Sequence, residues 1–260
     1  MMPLIKLGPF PLSSFGLILL LTIMFCGWLF ERLVKSGGTK PLPDFLSLGL
    51  VIASFIGART FYILFNFDLY TAQPRLIWQI GFTAFAFPGA LFTGGLLLFI
   101  IARFYKQPIT SWSDPLARLL PWGQAAGMIG MLLSGEGYGR ASTLPWAITL
   151  LGVPRHPSQI YEAIALIGLG VWLFYIAKRA YPAGILTVHY LVGYGAIRLV
   201  LELFRGDSLE IGGLRVAQVI GMALVLGGLR WLWWKAPDVY QEIKAPRVDE
   251  FEENPVPLKG

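Results

Sequence analysis

Two long stretches without a charged side chain constrain this sequence more than any other feature. Residues 7–30 and residues 76–102 contain no Asp, Glu, Lys or Arg and consist mainly of apolar residues. A helix needs about 20 apolar residues to cross the hydrocarbon core of a bilayer, and both stretches are longer. Backbone amides and carbonyls must be paired inside hydrocarbon, which favours helices over open sheets. The sequence therefore predicts an all-α membrane protein.

Five shorter apolar stretches extend this prediction to about seven transmembrane helices. Each continues past a lone ionisable residue to reach spanning length: residues 45–58, 119–135, 163–177, 180–197 and 216–229. The stretch 119–135 supports a helix least. Composition agrees, because only 14% of the residues are charged, against about 25% in soluble proteins. We expect one transmembrane domain over residues 1–235 and a polar, disordered cytoplasmic tail over residues 236–260.

Basic residues in alternate loops indicate the orientation of the chain. The loops after the first, third and fifth predicted helices carry Arg32, Lys35, Lys40, Arg103, Lys106, Lys178 and Arg179. Cytoplasmic loops are enriched in Lys and Arg. If the arginines of the opposite loops serve binding, the N-terminus lies outside and the C-terminus in the cytoplasm. The net charge of +6 suits contact with anionic lipid, and nothing in the sequence indicates binding to nucleic acid.

A polar segment, residues 155–162, directly precedes an apolar stretch. Its polar and ionisable side chains are Arg155, His156, Ser158, Gln159, Tyr161 and Glu162. Such groups cost several kcal/mol each in hydrocarbon unless they are paired or hydrated, so their density indicates a binding site. A helix beginning at Pro157 would offer free amide groups to a phosphate. The alternative is a helix cap and interfacial anchor, with His156 a hydrogen-bonded structural histidine.

A second candidate segment, residues 127–140, combines five glycines with Glu136 and Arg140 at its end. Glycine lets a ligand or a neighbouring helix approach the backbone closely. The alternative is helix packing followed by an interfacial turn. In that case Glu136 and Arg140, four residues apart, would simply pair with each other.

Intramembrane arginines provide the third candidate group. Arg198, Glu202 and Arg205 are spaced to project from one helix face, and Arg59 lies within another predicted helix. An arginine inside a membrane span indicates function by default. The alternative is a structural ion pair that holds the bundle together. His189 is expected to be a core or interfacial histidine.

Together these segments resemble the bacterial phosphatidylglycerol–prolipoprotein diacylglyceryl transferase family. Residues 155–162 are similar to its His-Pro-Ser-Gln-x-Tyr-Glu motif, and residues 193–205 to its late arginine helix. Leu7-Gly8-Pro9, Gly57-Ala58-Arg59 and residues 127–140 are similar to further family segments in the same order. The resemblance implies seven transmembrane helices in the bacterial inner membrane, with an active site facing the outer leaflet.

The family's reaction moves a diacylglyceryl group from phosphatidylglycerol to the cysteine thiol of a prolipoprotein signal segment. The resemblance implies that Arg140 and Arg198 hold the phosphate and that Glu136 and Glu202 orient them. Arg59, Arg155 and Arg205, with the other polar residues of 155–162, then bind substrate. No cofactor or metal ion is implied, and the single cysteine, Cys26, excludes a multi-thiolate metal site. The expected partners are phosphatidylglycerol, the signal segment and the bilayer.

Four positions depart from the family pattern. Pro88 stands where the family has a histidine before Gly-Gly-Leu, and Met128, Met131 and Phe15 stand at family arginine, asparagine and tyrosine positions. Two functions therefore remain open. The first is a divergent transferase whose remaining arginines lower the pKa of the acceptor thiol. The second is a non-catalytic protein of the same fold that binds phospholipid or a lipoprotein signal. A small transporter is a third reading, but paired discontinuous helices are not evident in the sequence.

Overall fold

Eight α-helices dominate the computed structural model, which describes residues 4–7, 10–78, 84–150, 152–179 and 181–244. They are α1 (Ser14–Ser36), α2 (Asp44–Phe65), α3 (Phe67–Ala72), α4 (Phe87–Phe104), α5 (Thr110–Ser134), α6 (Ser158–Ile176), α7 (Ile185–Leu201) and α8 (Val216–Lys244). All are long except α3. Three short antiparallel hairpins accompany them, β1–β2 (Leu4–Leu7, Phe10–Ser13), β3–β4 (Ile148–Leu150, Val153–Arg155) and β5–β6 (Glu210–Ile211, Leu214–Arg215).

The prediction of an all-α polytopic membrane protein is confirmed. Within the described ranges, six helices are long and apolar enough to cross a membrane: α1, α2, α4, α6, α7 and α8. The remaining long helix, α5, has 25 residues but carries Asp114, Arg118 and two internal prolines. It corresponds to the predicted stretch 119–135, the one that the sequence supported least.

The first predicted helix was placed too early. Strand β2 pairs with β1 over residues predicted to be helical, and α1 begins only at Ser14. Pro11, within β2, explains the difference, because proline lacks an amide hydrogen and disrupts a helix interior. At its other end α1 continues beyond residue 30 to Ser36, and Lys35 pairs there with Glu31 one turn earlier.

The start of the third predicted helix was also wrong. Residues 74–77 form a 3₁₀ helix, residues 84–86 are extended or irregular, and α4 begins at Phe87. The guanidinium of Arg59 binds the carbonyls of Leu76, Ile77 and Ala84, and so satisfies backbone acceptors without a helix. Pro88 falls in the first turn of α4, where proline is tolerated.

Helix α5 packs against α1, α6 and α7, while α2 packs on α4 and α7 on α8. The acidic residue of α5, Asp114, has a structural role. Asp114 accepts hydrogen bonds from the backbone amides of Gly184 and Thr187 at 2.7 and 2.9 Å. These are amides at the start of α7 that the helix itself leaves unpaired, so Asp114 caps α7 from a neighbouring helix.

The last helix extends into the predicted tail. Helix α8 runs to Lys244, and its candidate membrane span ends at Lys235, the last residue of the predicted transmembrane domain. Residues 245–260 lie outside the described ranges, and their disorder and cytoplasmic location stay predictions.

Candidate functional site

Three backbone segments meet where α5 and α7 end and α6 begins. Gly139 bridges Arg205, and Ala141 bridges Arg155, both in antiparallel fashion. The amide of Arg140 donates to the Phe204 carbonyl at 2.9 Å, and the amide of His156 donates to the Arg140 carbonyl at 2.9 Å. We call residues 138–142, 154–156 and 204–206 the platform. It joins the three candidate segments of the sequence at one end of the bundle.

Glycine is required at the centre of the platform. A Cβ atom built on Gly139 would lie 2.2 Å from the carbonyl oxygen of His156, and one on Gly206 would lie 2.8 Å from the carbonyl oxygen of Gly139. Real Cβ contacts are longer, so any side chain at Gly139 would push the strands apart. The close approach fixes the backbone of Arg140 between Phe204 and His156.

Arg140 is a cation without a counter-ion among the residues that the structure describes. Its side chain is exposed, and within the described residues its guanidinium makes no hydrogen bond or ion pair. Glu136, one helical turn earlier in sequence, does not pair with it, because α5 ends at Ser134 and Gly135 turns the chain with a φ of 80°. The alternative of a simple Glu136–Arg140 pair is therefore wrong. A rigid backbone and an unpaired guanidinium suit the binding of an anion.

An aromatic cluster surrounds His156 on the platform. Its imidazole centroid lies 5.3 Å from the Phe204 ring and 6.1 Å from the Tyr161 ring. The indole nitrogen of Trp146 donates to the Tyr161 hydroxyl at 2.7 Å, and Nδ1 of His156 lies 3.4 Å from the same hydroxyl. His156 and Tyr161 thus lie together as the polar segment suggested, whereas Trp146 and Phe204 were missed. A single tryptophan in the loop between α5 and β3 was the available signal for Trp146.

A buried ion network lies beside the platform. Nη1 of Arg198 donates to both carboxylate oxygens of Glu162 at 3.0 and 3.1 Å, and Nη2 pairs with Glu202. The Glu162 and Glu202 side chains are 3% and 2% exposed. Arg205 lies 3.5 Å from Glu162 and pairs with Asp207 at 2.9 Å. Two guanidinium groups therefore face three carboxylates, and each charge in the network has an opposite partner.

Sequence spacing found only part of this network. Glu202 orients Arg198 from the next turn, as the spacing implies. Glu162 also holds Arg198, although the two residues are distant in sequence, and Asp207 was not anticipated. Contacts between different helices leave no local pattern in the chain.

Ser158, Gln159 and Arg155 bind backbone within the described structure. The hydroxyl of Ser158 donates to the carbonyl oxygen of Gly137 at 2.9 Å, and the side-chain amide of Gln159 donates to the carbonyl oxygen of Glu136 at 2.7 Å. Nη1 of Arg155 donates to the carbonyl oxygen of Gly139 at 3.2 Å. Arg155 also stacks over the Tyr138 ring, 4.6 Å from its centroid. These side chains fasten the start of α6 to the end of α5, and their predicted contact with substrate stays a prediction.

The start of α6 offers fewer free amides than the sequence suggested. Helix α6 begins at Ser158, with Pro157 as its cap. The amide of Ser158 donates to His156, and those of Ile160 and Tyr161 donate to Pro157. A phosphate at this terminus would compete with these local bonds, so Arg140 is the better anion ligand.

Arg59 lies on α2 and supports a neighbouring loop. Besides the three carbonyls that it binds, its guanidinium lies 5.4 Å from the Tyr70 ring centroid. Arg59 is therefore engaged with the loop before α4.

Apolar residues occupy the described positions that depart from the family pattern. The methyl group of Met131 lies against Gly137, Met128 packs on the hydrophobic core, and Pro88 lies in the first turn of α4. The side chain of Phe15 lies outside the described part of the chain. A search of the described residues finds no group of three or more His, Cys, Asp or Glu able to hold a metal ion.

Comparison with known proteins gives the same family throughout. A family model described as prolipoprotein diacylglyceryl transferase matches residues 3–234. A phosphatidylglycerol–prolipoprotein diacylglyceryl transferase of Pasteurella multocida is 32% identical over 232 residues, covering 85% of this chain and 84% of the relative. One from Nostoc is 33% identical over 264 residues, covering 93% of both chains. Both matches include the platform and the ion network.

Proposed function

Because the chain belongs to the prolipoprotein diacylglyceryl transferase family, we propose that it transfers diacylglyceryl from phosphatidylglycerol to the cysteine thiol of a prolipoprotein. The observation that carries this proposal is the unpaired guanidinium of Arg140. It stands on a rigid platform at the end of a bundle of apolar helices, where a phospholipid head group and its acyl chains can be held together.

Arg140 binds the phosphodiester in this account. Arg198 and Arg205 are already matched by Glu162, Glu202 and Asp207, so a phosphate would have to displace a carboxylate to reach them. A phosphate can bind Arg140 without displacing a carboxylate. Arg198 is a second phosphate ligand, and its contact with the leaving phosphate requires the phosphate to take the place of a carboxylate oxygen of Glu162 or Glu202.

The chemical step is a displacement at the glyceryl carbon. The acceptor thiolate attacks the terminal carbon of diacylglyceryl, a carbon–sulfur bond forms, and the carbon–oxygen bond to phosphate breaks. Glycerol 1-phosphate leaves with the bonding electrons. Negative charge grows on the departing phosphate oxygen, so fixed guanidinium groups lower the barrier without a metal ion or a cofactor.

The protein is a multi-pass membrane protein, and its proposed orientation rests on the basic residues of the loops. We place the platform, and with it the N-terminus, at the outer face of the bacterial inner membrane, and the C-terminus in the cytoplasm. The loops at the opposite end carry Arg32, Lys35, Lys40, Arg103, Lys106, Lys178 and Arg179, as cytoplasmic loops do, while we assign the arginines of the platform end to binding. Phosphatidylglycerol then enters sideways from the bilayer, while the signal segment arrives from its own membrane span.

A transfer assay tests the proposed function. Purified protein is mixed with phosphatidylglycerol labelled in its acyl chains and a lipobox peptide, with a Cys→Ser peptide as control. We expect label on the cysteine peptide and an equal amount of glycerol 1-phosphate. Retention of lipid and peptide on the protein, without either product, would instead support a non-catalytic binding protein. Pro88, Met128 and Met131 at polar family positions are the observation that favours this second candidate.

A further inference from the structure

We infer that His156 is the general base that removes the proton from the acceptor thiol. This inference rests on the proposed transferase function and assigns a role that no other residue of the described site fills. A cysteine thiol has an unperturbed pKa near 8.5, so it is mostly protonated at neutral pH and gains reactivity when a base is placed beside it. Pro88 has no ionisable group and cannot serve.

The chain contains two histidines, and the structure separates them. His189 lies near the start of α7, where its Nδ1 is 2.8 Å from the Ile185 carbonyl and its ring is 5.0 Å from that of Trp172. Arg198 lies nine residues further along the same helix, or roughly 13 Å at 1.5 Å per residue. His189 is therefore far from the ion network and from the platform. His156, in contrast, forms part of the platform itself.

His156 and Arg140 are directly opposed across paired backbone. The amide of His156 donates to the carbonyl of Arg140, and opposed residues of antiparallel strands have Cα atoms about 4.5–5.5 Å apart. The ring of His156 also contacts Phe204, whose carbonyl accepts from the amide of Arg140. A phosphate held by Arg140 therefore brings its glyceryl ester within reach of a thiol next to His156.

The partners of His156 leave one ring nitrogen for catalysis. Trp146 donates to the Tyr161 hydroxyl oxygen, which has a second lone pair 3.4 Å from Nδ1 of His156. As a base, His156 would carry its hydrogen on Nδ1 and donate it to this oxygen. With the hydrogen on Nδ1, the lone pair of the imidazole is on Nε2. Within the described residues Nε2 makes no hydrogen bond. Tyr161 thus acts as a positioning residue that sets the tautomer, in the manner of an orienting group behind a catalytic histidine.

The proton and electrons balance in this step. Nε2 accepts the thiol hydrogen, the sulfur electron pair forms the bond to the glyceryl carbon, and the electrons of the carbon–oxygen bond leave with glycerol 1-phosphate. The imidazolium then releases its proton to water as the product departs. The charged residues of the platform are Arg140, Arg155 and Arg205.

An acceptor that needs no base tests the inference. A selenocysteine lipobox peptide is ionised at neutral pH without help, whereas the cysteine peptide is not. His156→Gln should lower the transfer rate to the cysteine peptide by about 10²–10⁴-fold and leave transfer to the selenocysteine peptide within a few fold of the parent. The effect should fall on kcat, with KM for phosphatidylglycerol little changed.

Two further variants keep the result interpretable. His189→Gln, at the other end of α7, should transfer to both peptides like the parent. Tyr161→Phe leaves the imidazole in place but removes its orienting oxygen, and should slow the cysteine peptide alone. If His156→Gln loses its cooperative melting transition, Tyr161→Phe decides the question.

Equal losses with both peptides in folded His156→Gln or Tyr161→Phe, or no loss in either variant, would overturn the base assignment and leave the transferase proposal standing. A parent protein inactive toward both peptides would contradict the two proposals together.

Discussion

Arg198 donates to both oxygens of Glu162 across the contact between α7 and α6, at 3.0 and 3.1 Å. The same guanidinium pairs with Glu202 on its own helix, so one cation joins two nearly fully buried carboxylates. A buried charge is costly unless it is paired, and both carboxylates depend on Arg198. The relationship explains how an arginine can remain inside a membrane span and still have a fixed direction.

Removal of Arg198 should therefore destabilise the protein. Arg198→Ala leaves Glu162 and Glu202 buried without their main partner, which typically costs about 3–5 kcal/mol. Thermal unfolding in detergent should show a clear drop in melting temperature. Neutralising both carboxylates as well, with Glu162→Gln and Glu202→Gln, should recover part of the loss. An Arg198→Ala protein that melts with the parent would show that the ion pairs contribute little to stability.

Arg140 should behave in the opposite way, because its guanidinium stabilises no described neighbour. Arg140→Ala is expected to keep the melting temperature of the parent but to bind phosphatidylglycerol more weakly in a nanodisc titration. Arg140→Lys should restore binding only in part, since lysine lacks the two-pronged geometry of guanidinium. Arg32→Ala, at an exposed position near the other end of the bundle, is the matched control. Unchanged affinity with a lowered melting temperature would assign Arg140 a structural role.

The platform should not tolerate a side chain at Gly139. In Gly139→Ala the new methyl group would overlap the His156 carbonyl, which must move and thereby separate the strands that hold Arg140. We expect a lower melting temperature and a lower transfer rate together. Gly127→Ala is the control, because a Cβ atom there meets nothing within 4 Å and alanine favours helix. Parent-like behaviour of Gly139→Ala would mean that the platform is not rigid.

Accessibility to an impermeant thiol reagent should reveal the orientation. In a Cys26→Ser background, a cysteine at position 143 lies directly after the platform segment 138–142. Cysteines at positions 39 and 107 lie at the opposite end of the bundle. Thr143 and Gln107 are both exposed in the structure. In intact cells we expect labelling at position 143 and protection at positions 39 and 107 until the membrane is permeabilised. The reverse pattern would invert the proposed topology.

Apolar periodicity and length predicted the helical membrane fold, because hydrocarbon imposes the same demand on every span. The ends of the helices were harder to predict. Pro11 delays the start of α1 within the first charge-free stretch, and the binding of backbone carbonyls by Arg59 replaces helix at the start of the second. Neither effect can be seen in the hydrophobicity of the sequence. Asp114 lies outside the predicted apolar stretch 119–135, yet it is part of α5 and caps α7 through a contact between residues distant in sequence.

The candidate site, like the fold, could be predicted from the sequence only in part. The polar segment and the late arginine helix were recognisable because charges are rare in an apolar chain, and Glu202 follows Arg198 at helical spacing. The pairing of Arg198 with Glu162, and the contact of His156 with Phe204, depend on how α6 and α7 meet. The separation of Glu136 from Arg140 depends on one left-handed glycine, Gly135, which stops α5 between them.

The role of Arg140 in the reaction can be measured as the transfer rate of Arg140→Ala relative to the parent. Both proteins are reconstituted with labelled phosphatidylglycerol, and thioether-linked peptide and glycerol 1-phosphate are measured in the same reaction. We predict equal amounts of the two products with the parent, and a rate about 10²–10³-fold lower for Arg140→Ala, the usual loss when a group that stabilises developing negative charge is removed. Product formation by Arg140→Ala at the parent rate would contradict the account.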